Sequence, residues 1–306
     1  MRKNRDSKTE HTHSLGHRMY VYRESYFLIA PYTLLFALFI IVPVIASIAL
    51  SFTDFNMVNV PQFVGFENFS RLFLDDDVFL IAVKNTMIFS FVTGPVCYLA
   101  ALILAWFINE LSPVFRSVMT FIFYVPSIVG NAFYIWTFIF SGDRYGLLNG
   151  FLLNIGAIKE PIHWLTDSNY MLGVIIIVQM WMSLGAGFLS FIAGLQSVDK
   201  SMYEAGALDG IKRRWQELWH ITLPSMKPQL MFGAVMQIAS SFGVGSVCSA
   251  LAGFPSTNYA AHTIVLHAED VGTLRYEMGY ASAVSVVLFL IMIISKTVIG
   301  SVLKDD

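Results

Sequence analysis

Hydrophobic residues fall in long uninterrupted runs along this chain, and polar residues collect in short segments between them. A helix that crosses the roughly 30 Å hydrocarbon core of a bilayer needs about 20 mainly apolar residues. Six runs are long enough, and none shows the alternating pattern of barrel strands. The pattern predicts an all-α, polytopic membrane helical bundle with six transmembrane helices near Tyr26–Phe52, Val78–Ile108, Phe115–Phe140, Tyr170–Ala193, Gln229–Gly253 and Tyr280–Leu303.

Composition supports a membrane protein. Hydrophobic residues make up 56% of the 306 positions and charged residues only 13%, about half the charged share of a soluble domain. The first apolar run is too long for the core of a signal peptide, so no cleaved leader is expected. The two cysteines, Cys97 and Cys248, fall inside predicted spans. Neither a disulfide nor a metal site is expected from them.

Lysine and arginine are unevenly placed, and such an excess marks cytoplasmic loops. Of the 19 basic residues, six lie before the first span and five in the loop before the fifth span. Arg116, Lys296 and Lys304 lie on the same side, which leaves only five for the other side. The distribution predicts that both termini are cytoplasmic. It divides the chain into a tail (1–25), a six-span domain (26–303) and a short carboxyl terminus (304–306).

Two loops on the predicted outer side are long enough to carry structure. The first, residues 53–77, has phenylalanines at a spacing that favours a short interfacial helix ending in acidic residues. The second, residues 141–169, mixes turn residues with apolar ones and predicts a compact cap. Either loop could contact an extracytoplasmic partner or simply pack on the bundle, and the sequence leaves both open.

The loop before the fifth span is the most distinctive segment, and residues 194–228 are called the basic loop here. Ser201 and Glu204 have the spacing of a capping box at the start of a helix. The small residues Ala205, Gly206 and Ala207 would leave a bare helical face, and Asp209-Gly210 would end the helix. A second amphipathic helix is predicted at 213–220. The loop could dock another protein or form an ordinary interfacial elbow.

Several stretches resemble the permease subunits of carbohydrate-uptake ABC importers, the maltose-permease-like group. They include FVGFENFSRLF, SPVFRSVMTFIFYVP, AGLQSVDKSMYEAGALDG, HITLPSMKP and MGYASAVSVVLFLIM. The resemblance implies an ABC importer type I permease fold and a coupling role for the basic loop. It implies contact with an ATPase through Glu204, Ala205, Gly206, Asp209, Gly210, Leu223 and Pro224. Gly206 stands where the family signature has alanine.

The resemblance also implies partners. They are a second homologous permease subunit, two ATPase subunits that bind ATP and Mg²⁺, and an extracytoplasmic sugar-binding protein, all serving a bacterial plasma (inner) membrane. No GxxxxGK[ST] nucleotide loop occurs in this chain. We therefore expect a non-catalytic subunit with no directly bound cofactor or metal and no nucleic-acid partner.

Uncharged polar residues inside the predicted spans indicate where a solute could pass. Amides, hydroxyls and aromatic rings suit the hydroxyl groups and apolar faces of a sugar or oligosaccharide. Hydrogen bonding between helices is the alternative explanation for each of them. The candidate path residues are Gln179, Ser183, Gln237, Ser241, Asn131 and Tyr134.

Other function classes remain open from the residues alone. A secondary transporter or channel often carries charged residues at mid-membrane. The centres of predicted spans 3 to 6 contain none, and they contain no His/Asp/Glu cluster for a membrane-embedded enzyme. An ATP-driven importer permease therefore fits the sequence best.

Overall fold

The computed structural model describes residues 22–304 of the protein. Most of the predicted tail 1–25 and the end of the predicted carboxyl terminus 304–306 lie outside the described residues. Within them the chain is helical, with one isolated β-bridge between Thr53 and Phe63. Five helical runs are long and apolar enough to span a membrane, Arg23–Leu50, Asp77–Asn109, Ser168–Ser197, Lys227–Ala252 and Met278–Ser301. These runs confirm predicted spans 1, 2, 4, 5 and 6 within a few residues.

The helices are numbered in chain order. They are α1 (Arg23–Leu50), α2 (Glu67–Leu74), α3 (Asp77–Asn109), α4 (Pro113–Ile128), α5 (Tyr134–Ile139), α6 (Leu147–Asn154), α7 (Ser168–Met182), α8 (Ala186–Ser197), α9 (Lys200–Leu208), α10 (214–225), α11 (Lys227–Phe242), α12 (Ser246–Ala252), α13 (Ile264–Glu269) and α14 (Met278–Lys304). Helix α1 includes a π-helical turn at Ala37–Ile41.

Predicted span 3 is not one continuous helix, which corrects the sequence-based expectation. Its first part, α4, has 16 residues, or about 24 Å at 1.5 Å per residue. The backbone leaves helical geometry at Val129 (φ −83°, ψ 97°) and resumes as α5. Pro126 supplies no N–H to the last turn and Gly130 disfavours helix, so the chain breaks here.

Spans 4 and 5 are also broken. The first break, Ser183–Gly185, separates α7 from α8, and the second, Gly243–Gly245, separates α11 from α12. A Cβ on Gly245 would lie 2.8 Å from Val265 Cγ1. The backbone of the second break therefore requires a residue without a Cβ at position 245.

Span 5 is the most buried of the five long apolar runs within the described residues. Half of its apolar stretch (50%) is buried, compared with 0% for α1. Helix α11 packs on α3, α8 and α14. A Cβ on Gly187 would lie 3.3 Å from Gly233 Cα, so two glycines let α8 and α11 approach closely.

The loops opposite the basic loop have the predicted local structure. Helix α2 occupies the first loop, where the rings of Phe52, Phe66 and Phe69 pack together. The second loop contains α6 and closes around buried Asn149. The Asn149 amide donates to the carbonyl of Ile162 and its oxygen accepts from Trp164 Nε1 at 2.9 Å. One side chain thus holds the cap compact.

A buried polar network fixes the segment between spans 5 and 6 to the rest of this end. Asp76 caps α3 by accepting from the Phe79 N–H, and it accepts from the Tyr280 hydroxyl at 2.7 Å. His267 Nε2 lies 3.2 Å from Asp76, and His267 Nδ1 lies 3.4 Å from His262 Nε2. Burial, with the adjacent His267, lowers the pKa of His262 to about 4.

The His262 pKa makes stability depend on pH. Because the folded pKa of about 4 lies below the ordinary value, the unfolded chain binds the proton more readily between them. The contribution is present above pH 6.5 and is lost as the pH falls from 6.5 to about 4. Asp76, His267, Asp270 and Arg275 are the charged or titratable groups that act on this ring.

We predict that His262→Phe flattens the loss of thermal stability between about pH 6.5 and pH 4, since phenylalanine keeps the stacking on Phe254 and cannot titrate. The measurement is the unfolding midpoint of the detergent-solubilised protein across this range. His220→Phe, an exposed control on the basic loop, should keep the parent slope. A parent-like slope in His262→Phe would show that another group is responsible.

Candidate functional site: the basic loop and the broken spans

Helix α9 begins two residues earlier than predicted. Asp199, with extended backbone angles, is the N-cap, and its carboxylate accepts from the Ser201 N–H at 2.9 Å. Hydrogen bonds from Ser201 lower the pKa of this carboxyl group. The predicted capping box of Ser201 and Glu204 is therefore wrong, because Ser201 already lies inside the first turn. The predicted end is confirmed, with Gly210 at φ +92°.

Gly206 faces the protein rather than the outside. It is buried, and a Cβ at this position would lie 2.6 Å from Ile221 Cδ1 and 3.3 Å from Ile211 Cδ1. The small residues of α9 therefore divide between two sides. Gly206 lets α9 pack on α10, while Ala205 and Ala207 are exposed.

The exposed side of α9 presents Leu208, which sequence reasoning missed. Its side chain is 90% exposed, and Glu204, Ala205, Asp209 and Gly210 are exposed beside it. A large apolar side chain at the end of a polar helix, four positions after Glu204, was the available signal. Leu208 thus gives this side of α9 one exposed apolar side chain among polar and small residues.

The second helix of the basic loop is longer than predicted. It runs over 214–225 and includes a π-helical turn at Leu218–Thr222. Leu218 and Ile221 are buried, and Leu223 packs against the core below. Pro224 is exposed.

Polar contacts hold the two helices of the basic loop together and join the loop to the bundle. The Tyr203 hydroxyl lies 3.0 Å from Thr222 Oγ1 and so connects α9 to α10. Arg214 pairs with Glu110, just past the end of α3, at 3.2 Å and with Glu217 at 3.0 Å. A cavity of about 470 Å³ lies between these elements. The loop is thus a folded unit attached to spans 2 and 5.

The polar residues predicted to line a path make contacts between helices. Gln179 Nε2 donates to Ser240 Oγ and Gln237 Nε2 to the Thr93 carbonyl, both at 3.4 Å. These are long hydrogen bonds. Gln179 is buried and Gln237 is partly exposed. The two amides therefore connect α7, α11 and α3 at the interior of the bundle.

The remaining path candidates lie at or near the helix breaks. Ser183 begins the break in span 4, and its hydroxyl donates to the Met180 carbonyl. Ser241 is buried two residues before the break in span 5 and donates to the Ile238 carbonyl. Asn131 lies in the break of span 3 and Tyr134 begins α5, and both are exposed. These four predicted residues thus lie in the breaks or within two residues of them.

The three breaks lie at comparable distances along their helices from the basic-loop end. Helices α4 and α11 each run 16 residues from the loop end to their breaks, and α8 runs 12 residues from its break back to that end. These lengths correspond to roughly 18–24 Å. Non-helical backbone at membrane depth occurs where it is buried in protein or lines a cavity. Discontinuous helices at one level are typical of transporter binding sites.

We predict that Gly206 tolerates alanine but not leucine. Alanine needs only a rotation of the Ile221 Cδ1 end and favours the helix by up to about 1 kcal/mol, whereas leucine would force α9 away from α10 at a cost of about 1–3 kcal/mol. The measurement is the unfolding midpoint of the purified protein.

The control for this prediction is the pair Gly206→Leu with Ile221→Ala. If the clash is local, the smaller residue at 221 should recover part of the loss, giving a non-additive double-mutant cycle. Strict additivity of the two changes would contradict a direct contact between positions 206 and 221.

A bundle of membrane-length helices with breaks in three spans and a folded basic loop at one end is typical of a membrane transport subunit. Residues 97–303 match the family described as "Binding-protein-dependent transport system inner membrane component". The match covers more than half of the chain, so this protein belongs to that family.

Similar proteins agree with this assignment. The chain is 30% identical to the "Probable ABC transporter permease protein YesP" of Bacillus subtilis (87% of this chain, 86% of that protein). It is 33% identical to the "Lactose transport system permease protein LacF" of Rhizobium radiobacter (86% and 88%). A solved bacterial ABC transporter involved in import of the acidic polysaccharide alginate has a chain of the same fold, with a TM-score of 0.76, 22% identity and 95% and 98% coverage.

The family membership confirms the predicted resemblance. The chain is an ABC importer permease subunit, a non-catalytic membrane component of a system that depends on a binding protein. ATP hydrolysis belongs to a separate subunit. The secondary transporter, the channel and the membrane-embedded enzyme are thereby set aside.

Proposed function

We propose that this chain forms half of the path along which an ATP-driven importer moves a sugar or oligosaccharide. Support comes from relatives whose names include lactose and arabinooligosaccharide transport, the latter 29% identical over 88% of this chain. The partners are a second homologous permease, two ATPase subunits with ATP and Mg²⁺, and an extracytoplasmic sugar-binding protein. The basic loop and both termini face the cytoplasm, as the lysine and arginine distribution indicates.

The exposed side of α9 is the proposed contact with the ATPase. It combines the acidic Glu204 with small Ala205 and with Leu208, whose side chain is 90% exposed. Asp209 and Gly210 end the helix beside it. Gly206 supports this surface from behind through Ile221, and Leu223 and Pro224, in the last turn of α10, lead the chain into α11. A small rigid helix with one apolar side chain suits insertion into a groove on another subunit.

We predict that Leu208→Glu abolishes substrate-stimulated ATP turnover while the protein still inserts into the membrane. A buried, unpaired carboxylate at the contact would cost several kcal/mol. Leu208→Met is the matched control, because it keeps an apolar side chain of similar volume and should retain most activity. The assay is uptake and ATP turnover by the assembled importer at matched membrane levels. Normal coupling in Leu208→Glu would mean that another surface meets the ATPase.

The broken spans are the proposed substrate path. The breaks in spans 3, 4 and 5 bring backbone groups to one depth, next to the amides Gln179 and Gln237 and the hydroxyls Ser183 and Ser241. Asn131 and Tyr134 add a polar and an aromatic side chain from span 3. Uncharged hydrogen-bonding groups and an aromatic ring are suited to a solute rich in hydroxyl groups.

We predict that Gln179→Ala or Gln237→Ala each weakens uptake by about tenfold. A neutral hydrogen bond contributes about 0.5–1.5 kcal/mol, and an unpaired partner costs somewhat more. Gln196→Ala, an exposed amide at the loop end of α8, is the control and should be near neutral. Uptake should be measured with several sugars at matched expression. Unaltered rate and sugar preference in both variants would make these amides structural contacts between helices.

A further inference from the structure

Three tryptophans form one cluster where the basic loop meets the bundle. The ring centroids of Trp106 and Trp215 are 6.1 Å apart, and those of Trp215 and Trp219 are 5.9 Å apart. Trp215 is 57% exposed and Trp219 is 54% exposed. Within the described residues, nothing covers the outer side of these two rings. The opposite side of the same helix is buried through Leu218 and Ile221.

The cluster lies at the level where a membrane span ends. Trp106 is three residues before Asn109, the last residue of α3. Its neighbour Phe107 stacks on it and is 60% exposed. Tryptophan is enriched at the boundary between hydrocarbon and water, because its ring is apolar and its N–H needs a polar partner. Through its contact with Trp106, Trp215 lies beside the end of span 2.

Positive charge surrounds the cluster. Lys212 and Arg213 are exposed just before α10. Arg116 and Lys200 line the neighbouring cavity of about 470 Å³ together with Trp106. Arg116 Nη2 donates to the Asn109 and Leu111 carbonyls, and its Nε is buried without a hydrogen-bond partner. The two carboxylates at this cavity, Glu110 and Glu217, both pair with Arg214, so the surface keeps a net positive charge.

We propose that α10 lies on the cytoplasmic surface of the bilayer, with Trp215 and Trp219 among the headgroups and Lys212 and Arg213 bound to the phosphates of anionic phospholipids. The placement rests on the proposed function, which puts the basic loop in the cytoplasm. The two helices of the loop then have separate partners: α9 contacts the ATPase and α10 contacts lipid. The Tyr203–Thr222 contact and the packing of Gly206 on Ile221 connect the two.

The first test is tryptophan fluorescence of the complete importer in vesicles that contain phosphatidylglycerol. Lipids brominated near the headgroup end of the acyl chain quench tryptophans that lie at this depth. The fluorescence intensity lost to these lipids should fall clearly in the Trp215→Phe/Trp219→Phe double variant. Trp164→Phe, which removes a half-buried ring hydrogen-bonded to Asn149, should leave the lost intensity unchanged.

Two results would overturn the proposal. If Trp215 and Trp219 are quenched by a water-soluble quencher such as iodide and not by brominated lipid, α10 lies in water. If brominated lipid quenches these tryptophans only when the ATPase is removed, α10 is part of the protein interface. Neither result depends on Leu208, so a failure here is distinguishable from a failure of the proposed coupling role, which the Leu208→Glu assay reports.

The second test concerns charge. ATP turnover of the importer is measured as the phosphatidylglycerol fraction of the vesicles is raised. Lys212→Gln and Arg213→Gln should each lower the apparent affinity for anionic lipid by about fivefold, the change expected for loss of one cation near the surface. Lys159→Gln, an exposed cation on the opposite side, is the control. Identical lipid dependence in all variants would overturn the role assigned to the two cations.

Discussion

Backbone hydrogen bonding inside hydrocarbon is the constraint on which this structure depends. No water is present in the lipid phase to satisfy a free carbonyl, so a break in a spanning helix requires a partner within the protein or a water-filled cavity beside it. The break in span 5 has such a partner, because the Thr263 hydroxyl donates to the Val244 carbonyl. Hydroxyl groups also donate to helix carbonyls shortly before the other two breaks, Ser127 to Tyr124 in span 3 and Ser183 to Met180 in span 4. Short hydroxyl side chains thus supply hydrogen bonds to backbone carbonyls at or near the breaks.

The positions of the breaks could not be predicted from hydropathy. Apolar run length identifies a segment that crosses the bilayer, and it placed five spans within a few residues. It does not distinguish a continuous helix from two half-helices, because both have the same apolar composition. In span 3, Pro126 is a signal in the sequence for a break in the helix. Gly245 was not, since its requirement comes from the close approach of Val265, which is distant in sequence.

The basic loop shows the same limit on a smaller scale. Its two helices and the turn at Gly210 follow from local signals, namely helix-forming residues ended by a glycine with positive φ. The N-cap of α9 does not follow from local signals. Asp199 and Ser201 are both good N-cap residues, and only the path of the chain from α8 decides between them. The sequence also does not show which small residue of α9 faces the protein. Gly206 is buried by Ile221, fifteen positions later in the chain, while its neighbours Ala205 and Ala207 stay exposed.

Helix α1 has a different relation to the rest of the chain. None of its apolar stretch is buried by the residues that the structure describes, and its second half packs on α14. Lipid can cover such a surface at little cost, because hydrocarbon tails are as apolar as the helix itself. The free energy of this fold therefore exerts little selection on the residues of α1. Apolar residues should therefore replace one another more freely along α1 than along the central helices when related chains are compared.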